Sequence, residues 1–258
     1  AFLHSTVIIV TVKNAPFKEL PSIFRDLNAG DPLNRTENRQ SYQTDISSWI
    51  RKYCEGTFSN IWSRFSGCSE QSILRMRDIE WFTQAFMSIN EHTKSRFFRD
   101  ADMDWFYQIG ENRAMSKVPE YDDAEQRKFI SIMETIKNTV EQQQAVPASK
   151  TIPQRTFWAM LFVAEYFYDC NGKYVIHSYD QFYRDVHSID ARLVNDSKHD
   201  QSSDLKLARA NNPHLDDADI SAMAPDSDYY WYQCRRMVNP TRRDTRKDTL
   251  IAEVKKAI

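Results

Sequence analysis

The sequence has few of the residues that build nucleotide-binding loops or all-β folds. Only five of its 258 residues are glycine, which argues against Gly-rich phosphate loops and against an all-β protein with many tight turns. The formal net charge is −2, so any nucleic-acid-binding surface would have to be local. The most apolar run, FWAMLFVA at 157–164, is far shorter than the roughly 20 residues that span a bilayer. We therefore expect no membrane segment.

Cysteine spacing gives no sign of a metal site or of a disulfide framework. The four cysteines, at positions 54, 68, 170 and 234, are widely separated, and none forms a CxxC pair or a Cys/His cluster with zinc spacing. We therefore predict free thiols in a reducing cytoplasm.

The first residues lack the basic segment and cleavage site of a secretory signal. The chain starts with Ala rather than Met, from which we expect a processed protein or a piece of a longer one.

Hydrophobic periodicity predicts a mainly α fold, a helical bundle array with one strand at its N-terminal edge. The run STVIIVTV at 5–12 has the length and β-branched content of a buried strand, and its sheet partners are expected elsewhere. Beyond it, apolar residues recur every three or four positions. In the second half they predict a core of Trp158, Leu161, Phe162, Phe182, Val186 and Leu193. The polar segment 195–228 is predicted to be a loop.

Two changes in this pattern divide the chain. Residues 1–44 are assigned to the strand and a helical corner, residues 45–145 to a first helical subdomain, and residues 146–258 to a second. The second boundary falls within the polar, proline-broken segment 141–150. The helix that follows it is apolar on all sides, so both of its faces should be covered.

The least generic stretch is FRDLNAGDPLNRTENRQ at 24–40, a tight polar turn between an apolar helix and a polar one. Local chemistry accounts for part of it: Asn28 near Gly30 is typical of a helix end, and Asn34 three residues before Glu37 predicts a capping box. Neighbouring arginines add positive charge to a helix start, which favours an anion such as phosphate. The candidate phosphate contacts are Arg25, Asn28, Asn34, Glu37 and Arg39.

This stretch resembles a segment of the GmrSD-type restriction endonuclease N-terminal domain family, a ParB-like group in which an apolar strand also precedes the segment. A second motif, RMRDIEWFTQAF at 75–86, resembles a helix of the same family, and the two motifs cover residues 5–90. The resemblance implies that Arg75, Asp78 and Glu80 form a buried polar lock between the helices and a ParB-like α/β sheet. A solvated charged helix face is the alternative that the spacing alone allows.

Two catalytic segments of that family are absent from the sequence: the Asp-Gly-Gln-Gln-Arg segment for nucleotide chemistry and the His-Asn-His nuclease module. The resemblance therefore implies a helical scaffold or sensor in nucleotide-dependent DNA metabolism or defence, in the cytoplasm of a bacterium or virus-infected cell. Its implied partners are the missing sheet segment or a partner chain, and DNA. A nucleotide with Mg²⁺ would belong to the complete protein. We assign no catalytic residue, and we expect no enzyme activity from the chain alone.

A second basic region lies near the C-terminus, beside the aromatic run YYWY at 229–232. Arginines interleaved with aromatic residues can bind nucleic acid by stacking and phosphate contact. The candidates are Arg235, Arg236, Arg242 and Arg243. The acids that alternate with bases in TRRDTRKDT favour another interpretation, in which two helices each have a core face and a solvated face.

Aspartates at 100, 102 and 104 resemble half of a calcium loop, but the glycine and distal acid are misplaced, so helix caps are expected.

The sequence therefore leaves three hypotheses about function. The first is the helical scaffold of a GmrSD-type protein. The second is a non-catalytic helical interaction or regulatory module. The third is a helical protein that binds nucleic acid through the C-terminal cluster.

Overall fold

The computed structural model describes residues 33–41, 44–107, 123–147, 150–170, 173–211 and 240–257, with the backbone alone at 196–211, 241, 242 and 257. These residues form nine α-helices: α1 Arg35–Ser41, α2 Asp45–Arg51, α3 Glu70–Leu74, α4 Arg77–Ile89, α5 Asp100–Phe106, α6 Asp123–Gln142, α7 Gln154–Asp169, α8 Tyr179–Asn211 and α9 Pro240–Ala257. A π-helical segment, Lys52–Thr57, continues α2, and a short 3-10 helix spans Trp62–Arg64.

The mainly α-helical fold that the periodicity predicts is confirmed. Within the described ranges no strand occurs, and the extended pairing found there is an isolated parallel bridge between Phe65 and Ile152. The predicted N-terminal strand lies outside the described residues. No helix in the described part of the chain combines the length and apolar character needed to cross a membrane.

Helix α7 lies at the centre of the molecule. It packs against α6, α8 and α9, and it also meets α4. Every residue from Thr156 to Glu165 is buried, as expected for a helix that is apolar on all sides. Leu193 is half-buried, and its neighbour Val194 takes the buried position. The other predicted core residues are buried as expected: Trp158, Leu161, Phe162, Phe182 and Val186.

Helix α4 is the corresponding centre of the first half. Helices α1, α2 and α3 and the π-helical segment pack against it. The Phe82 ring of α4 meets the Phe129 ring of α6 edge to face, with 5.0 Å between centroids, and such a pair adds about 0.5–1.5 kcal/mol to simple burial. Tyr107 is fully buried nearby. Its buried hydroxyl is satisfied, because it accepts a hydrogen bond from Gln40 at 3.1 Å and shares another with Thr83 at 2.6 Å.

The end of helix α8 differs from the prediction. Helix α8 continues to Asn211, so the segment predicted to be a loop from residue 195 is helical in its first part. A polar helix has little hydrophobic periodicity to reveal it. The N-cap of α2 is Thr44, whose side-chain hydroxyl accepts from the Ser47 backbone N–H at 3.3 Å. Residues 58–61 form a turn that leads into the 3-10 helix.

One hydrophobic core continues across the predicted boundary between residues 145 and 146. The ring centroid of Phe157 on α7 lies 5.9 Å from Trp62, 5.3 Å from Phe65 and 5.8 Å from Trp81. Backbone hydrogen bonds on either side of the Phe65–Ile152 bridge join the same two parts of the chain. The two predicted helical subdomains therefore share an apolar interior.

Candidate functional site

The polar segment around Asn34 starts helix α1 with a reciprocal cap. The backbone N–H of Glu37 donates to Asn34 Oδ1 at 2.9 Å, and the backbone N–H of Asn34 donates to Glu37 Oε2 at 2.7 Å. This arrangement confirms the predicted capping box. Asn34, Glu37, Arg39 and Arg75, with their partners Asp100 and Asp104, form a cluster called the polar corner.

Arg39 points into the protein and joins α1 to α5. Its side chain is 2% exposed; Nε lies 2.6 Å from Asp104 Oδ1, and Nη2 lies 2.8 Å from Asp100 Oδ1. A guanidinium held by two carboxylates is already neutralised. The structure therefore gives Arg39 a different role from the predicted phosphate contact. Arg25 and Asn28, which belong to the same prediction, lie outside the described residues.

The three residues of the predicted polar lock have three different partners. Arg75 Nε lies 3.1 Å from Glu37 Oε1, and the Arg75 backbone carbonyl accepts a hydrogen bond from Asn34 Nδ2 at 2.8 Å. The two motifs that carry the family resemblance therefore contact each other. Glu80 accepts from Arg77 at 2.6 Å on the surface.

Asp78, the remaining lock residue, is buried beside a thiol. Cys54 Sγ donates to Asp78 Oδ2 at 3.7 Å, and Asp78 Oδ1 has no hydrogen-bond partner among the described residues. Burial raises the pKa of the Asp78 carboxyl. Burial, together with the nearby Asp78 charge, also raises the pKa of the Cys54 thiol well above its ordinary value. The contact is thus a buried thiol–carboxyl pair, not the predicted Arg/Asp lock.

Arg243 is a structural residue of α9. Its side chain is buried, its guanidinium carbon lies 3.8 Å from the centroid of the Phe98 ring, and it donates to the backbone carbonyls of Lys94 and Arg96. Burial lowers the pKa of Arg243 to about 10. A guanidinium buried in this way cannot contact a nucleic-acid backbone, which corrects the prediction for this residue. The other candidates in this cluster lie outside the described side chains: Arg235, Arg236 and Arg242.

A second arginine of α9 belongs to a charged cluster, called the buried triad, in which Asp190 of α8 and Arg246 of α9 are fully buried and Arg155 of α7 is half-buried. The side chains of Arg246 and Asp190 are both 0% exposed, with 3.5 Å between Nη2 and Oδ1. Arg155 Nε lies 3.4 Å from Asp190 Oδ2, and Arg246 also donates to the Arg155 backbone carbonyl at 2.8 Å. The triad therefore joins three helices around one buried carboxylate.

A cavity of about 580 Å³ lies between α7, the loop 173–178, α8 and α9, and is called the α7–α8 pocket. Cavities of about 300–1,000 Å³ with apolar lining are typical small-molecule sites. Sequence analysis missed this pocket, because each residue of its floor has the spacing of an ordinary core residue. The floor consists of Val163, Phe167, Ile176, Phe182, Val186, Ile189 and Val254.

Polar side chains surround the mouth of the α7–α8 pocket. Lys173 and His177 are exposed residues of the loop, and Gln181 and Asp185 are exposed residues of α8. Gln181 Nε2 donates to Asp185 Oδ1 at 2.7 Å, while the Gln181 backbone N–H donates to Ser178 Oγ at 3.2 Å. The pocket therefore combines an apolar floor with charges of both signs at its rim.

Metal-binding geometry and comparison with known proteins add no further assignment. Among the described residues, no group of three or more His, Cys, Asp or Glu side chains is placed to hold a metal ion. Asp100, Asp102 and Asp104 lie in α5, where each forms an ion pair with an arginine.

No family model matches the chain, and no curated protein or solved structure matches it significantly.

Proposed function

We propose that this chain is a helical interaction module that binds an apolar ligand group in the α7–α8 pocket and catalyses no reaction on its own. The observation that carries the proposal is the apolar floor of the pocket, with polar groups confined to the rim. Burial of apolar ligand surface on such a floor supplies the binding free energy, at about 25 cal/mol per Å². The polar rim then orients the ligand.

The use of the charged residues supports the same proposal. Arg39, Arg243 and Arg246 are all buried, and each holds one part of the chain against another. Side chains committed to such contacts are structural. Lys173 and Asp185, by contrast, are exposed at the pocket mouth, where a ligand can reach them.

The proposal is tested by a substitution at the pocket with a matched control elsewhere. Val175 lines the pocket and is 64% exposed, whereas Leu74 on α3 is 80% exposed and is not a pocket residue. We expect Val175→Asp to weaken binding of the neutral dye Nile red by about tenfold, because a charge at an apolar site disfavours an apolar ligand. Leu74→Asp should leave the affinity unchanged. Fluorescence titration measures both.

Two results would contradict the proposal. One is the absence of saturable Nile red binding by the unmodified chain. The other is an equal loss of binding in the two variants, which would place the dye on general apolar surface. Circular dichroism of each variant checks that the helices are retained.

A second candidate function is the helical scaffold of a GmrSD-type protein. It is supported by the contact between the two resembling motifs, with 3.1 Å from Arg75 Nε to Glu37 Oε1. In that case nucleotide hydrolysis requires a separate sheet segment with the Asp-Gly-Gln-Gln-Arg sequence, since hydrolysis needs positioned phosphates and a metal ion. Phosphate release only after that segment is added supports this candidate. Release by the chain alone, or none from the mixture, contradicts it.

A further inference from the structure

The loop 173–178 places basic side chains at the mouth of the α7–α8 pocket. Exposed and half-buried residues alternate along it: Lys173, Val175 and His177 are exposed, while Tyr174 and Ile176 are half-buried. The loop therefore adds apolar surface to the pocket and a lysine and a histidine to its rim.

Lys173 is not neutralised by a neighbouring carboxylate. Its ammonium lies 5.5 Å from the centroid of the Tyr174 ring, and within the described part of the chain it has no ion-pair partner. Lys128 of α6 differs, because its ammonium lies 2.7 Å from Asp169 Oδ1. A positive charge beside an apolar cavity is thus available to a ligand.

The N-terminus of α8 lies at the same end of the pocket. This helix has 33 residues, and its first turn adds the positive end of the helix dipole to the rim. The acid of that turn, Asp180, pairs with Arg184 at 2.9 Å. The carboxylate that lines the pocket, Asp185, lies farther along α8, where it accepts from Gln181. Positive charge is therefore concentrated at the loop end of the pocket.

From the apolar floor and this charge distribution we infer that the α7–α8 pocket binds a small amphipathic anion, a medium-chain carboxylate. Its apolar chain lies on the floor, and its carboxylate lies between Lys173, His177 and the start of α8. This inference rests on the proposed function and specifies the ligand class for the same site.

The experiment compares two probes that share one tail and differ in the sign of the head group. Dodecanoate and dodecylammonium are titrated into the full chain by calorimetry, below their micelle-forming concentrations. We expect dodecanoate to bind about tenfold more tightly at low salt, with a preference that shrinks as added salt screens the head group. Lys173→Glu should weaken dodecanoate binding by up to about fivefold, the range of exposed ion pairs, without weakening dodecylammonium binding.

The chain offers a closely matched control for that variant. Lys52 precedes a tyrosine as Lys173 does, and its ammonium lies 5.4 Å from the Tyr53 ring centroid, but Lys52 is not a pocket residue. Lys52→Glu carries the same change of net charge, and it should leave both affinities within about twofold.

Three results would overturn the inference. Equal affinities for the two probes contradict it, and so does an equal effect of the two lysine variants. If either of these two results is found while Val175→Asp still weakens Nile red binding, the proposed function stands and only the ligand class is rejected. If neither dodecanoate nor Nile red binds, both proposals fail.

Discussion

The polar corner and the buried triad both place an arginine in the interior, but the carboxylates that pair with it differ in how deeply they are buried. Arg39 is 2% exposed, while its partners Asp104 and Asp100 keep 27% and 56% of their side-chain surface exposed. In the triad both Arg246 and Asp190 are 0% exposed. A carboxylate near the surface can be hydrated when its partner is lost, whereas a fully buried one cannot. The depth of the partner left behind should therefore set the cost of breaking each contact.

Removal of the central acid of the triad should have the largest effect. We expect Asp190→Ala to lower the free energy of unfolding by about 3–5 kcal/mol, because it removes a fully buried carboxylate that both Arg246 and Arg155 face. Urea denaturation measures the change. Asp185→Ala, at an exposed position of the same helix, should stay within about 0.5 kcal/mol. A loss for Asp190→Ala no greater than that of this control would show that the triad contributes nothing to stability.

Removal of the buried arginine of the polar corner should have a smaller effect. We expect Arg39→Ala to cost about 2–3 kcal/mol, below the range for fully buried pairs, because Asp100 and Asp104 can still be hydrated. Arg35→Ala is the matched control: Arg35 is 69% exposed and lies 3.7 Å from the same Asp100. A cost for Arg39→Ala above that for Asp190→Ala would reverse the proposed effect of depth.

Asp78 extends the comparison to a buried carboxyl that contacts a thiol. Its folded-state pKa is raised above 3.8 by burial, so its contribution favours the folded state at low pH and is lost as pH rises through the folded pKa. Asp78→Asn stays neutral. The stability of the variant relative to the unmodified chain should therefore rise between about pH 4 and pH 7. Denaturation curves at both pH values test the sign, and a pH-independent difference would contradict it.

The smallest stability effects are expected at the exposed apolar positions. Val175→Asp and Leu74→Asp should each change the free energy of unfolding by no more than about 0.5 kcal/mol, because both side chains are mostly in solvent. Thermal denaturation is sufficient to compare them. A large loss for Val175→Asp would mean that the loop 173–178 supports the fold, and a loss of ligand binding in that variant would then reflect unfolding.

Features set by local sequence were predictable, whereas those set by distant contacts were not. The capping box of Asn34 and Glu37 spans four residues, and the burial of α7 follows from its all-round apolar composition. The sequence shows that Arg39 and Arg243 carry charge, but their burial depends on which helices pack over them. The α7–α8 pocket is likewise a gap left between four elements, so no single segment encodes it. The extension of α8 was missed because its residues are polar.

The position of Phe157 among Trp62, Phe65 and Trp81 has a consequence for biosynthesis. Helices α1 to α5 leave the ribosome before α7 does, so those aromatic rings emerge without the side chain that covers them. We expect a nascent chain that ends near residue 145 to bind holdase chaperones and to acquire protease resistance only after α7 has emerged. In the finished protein, the amides of α4 and α7 should exchange with deuterium in one shared opening event.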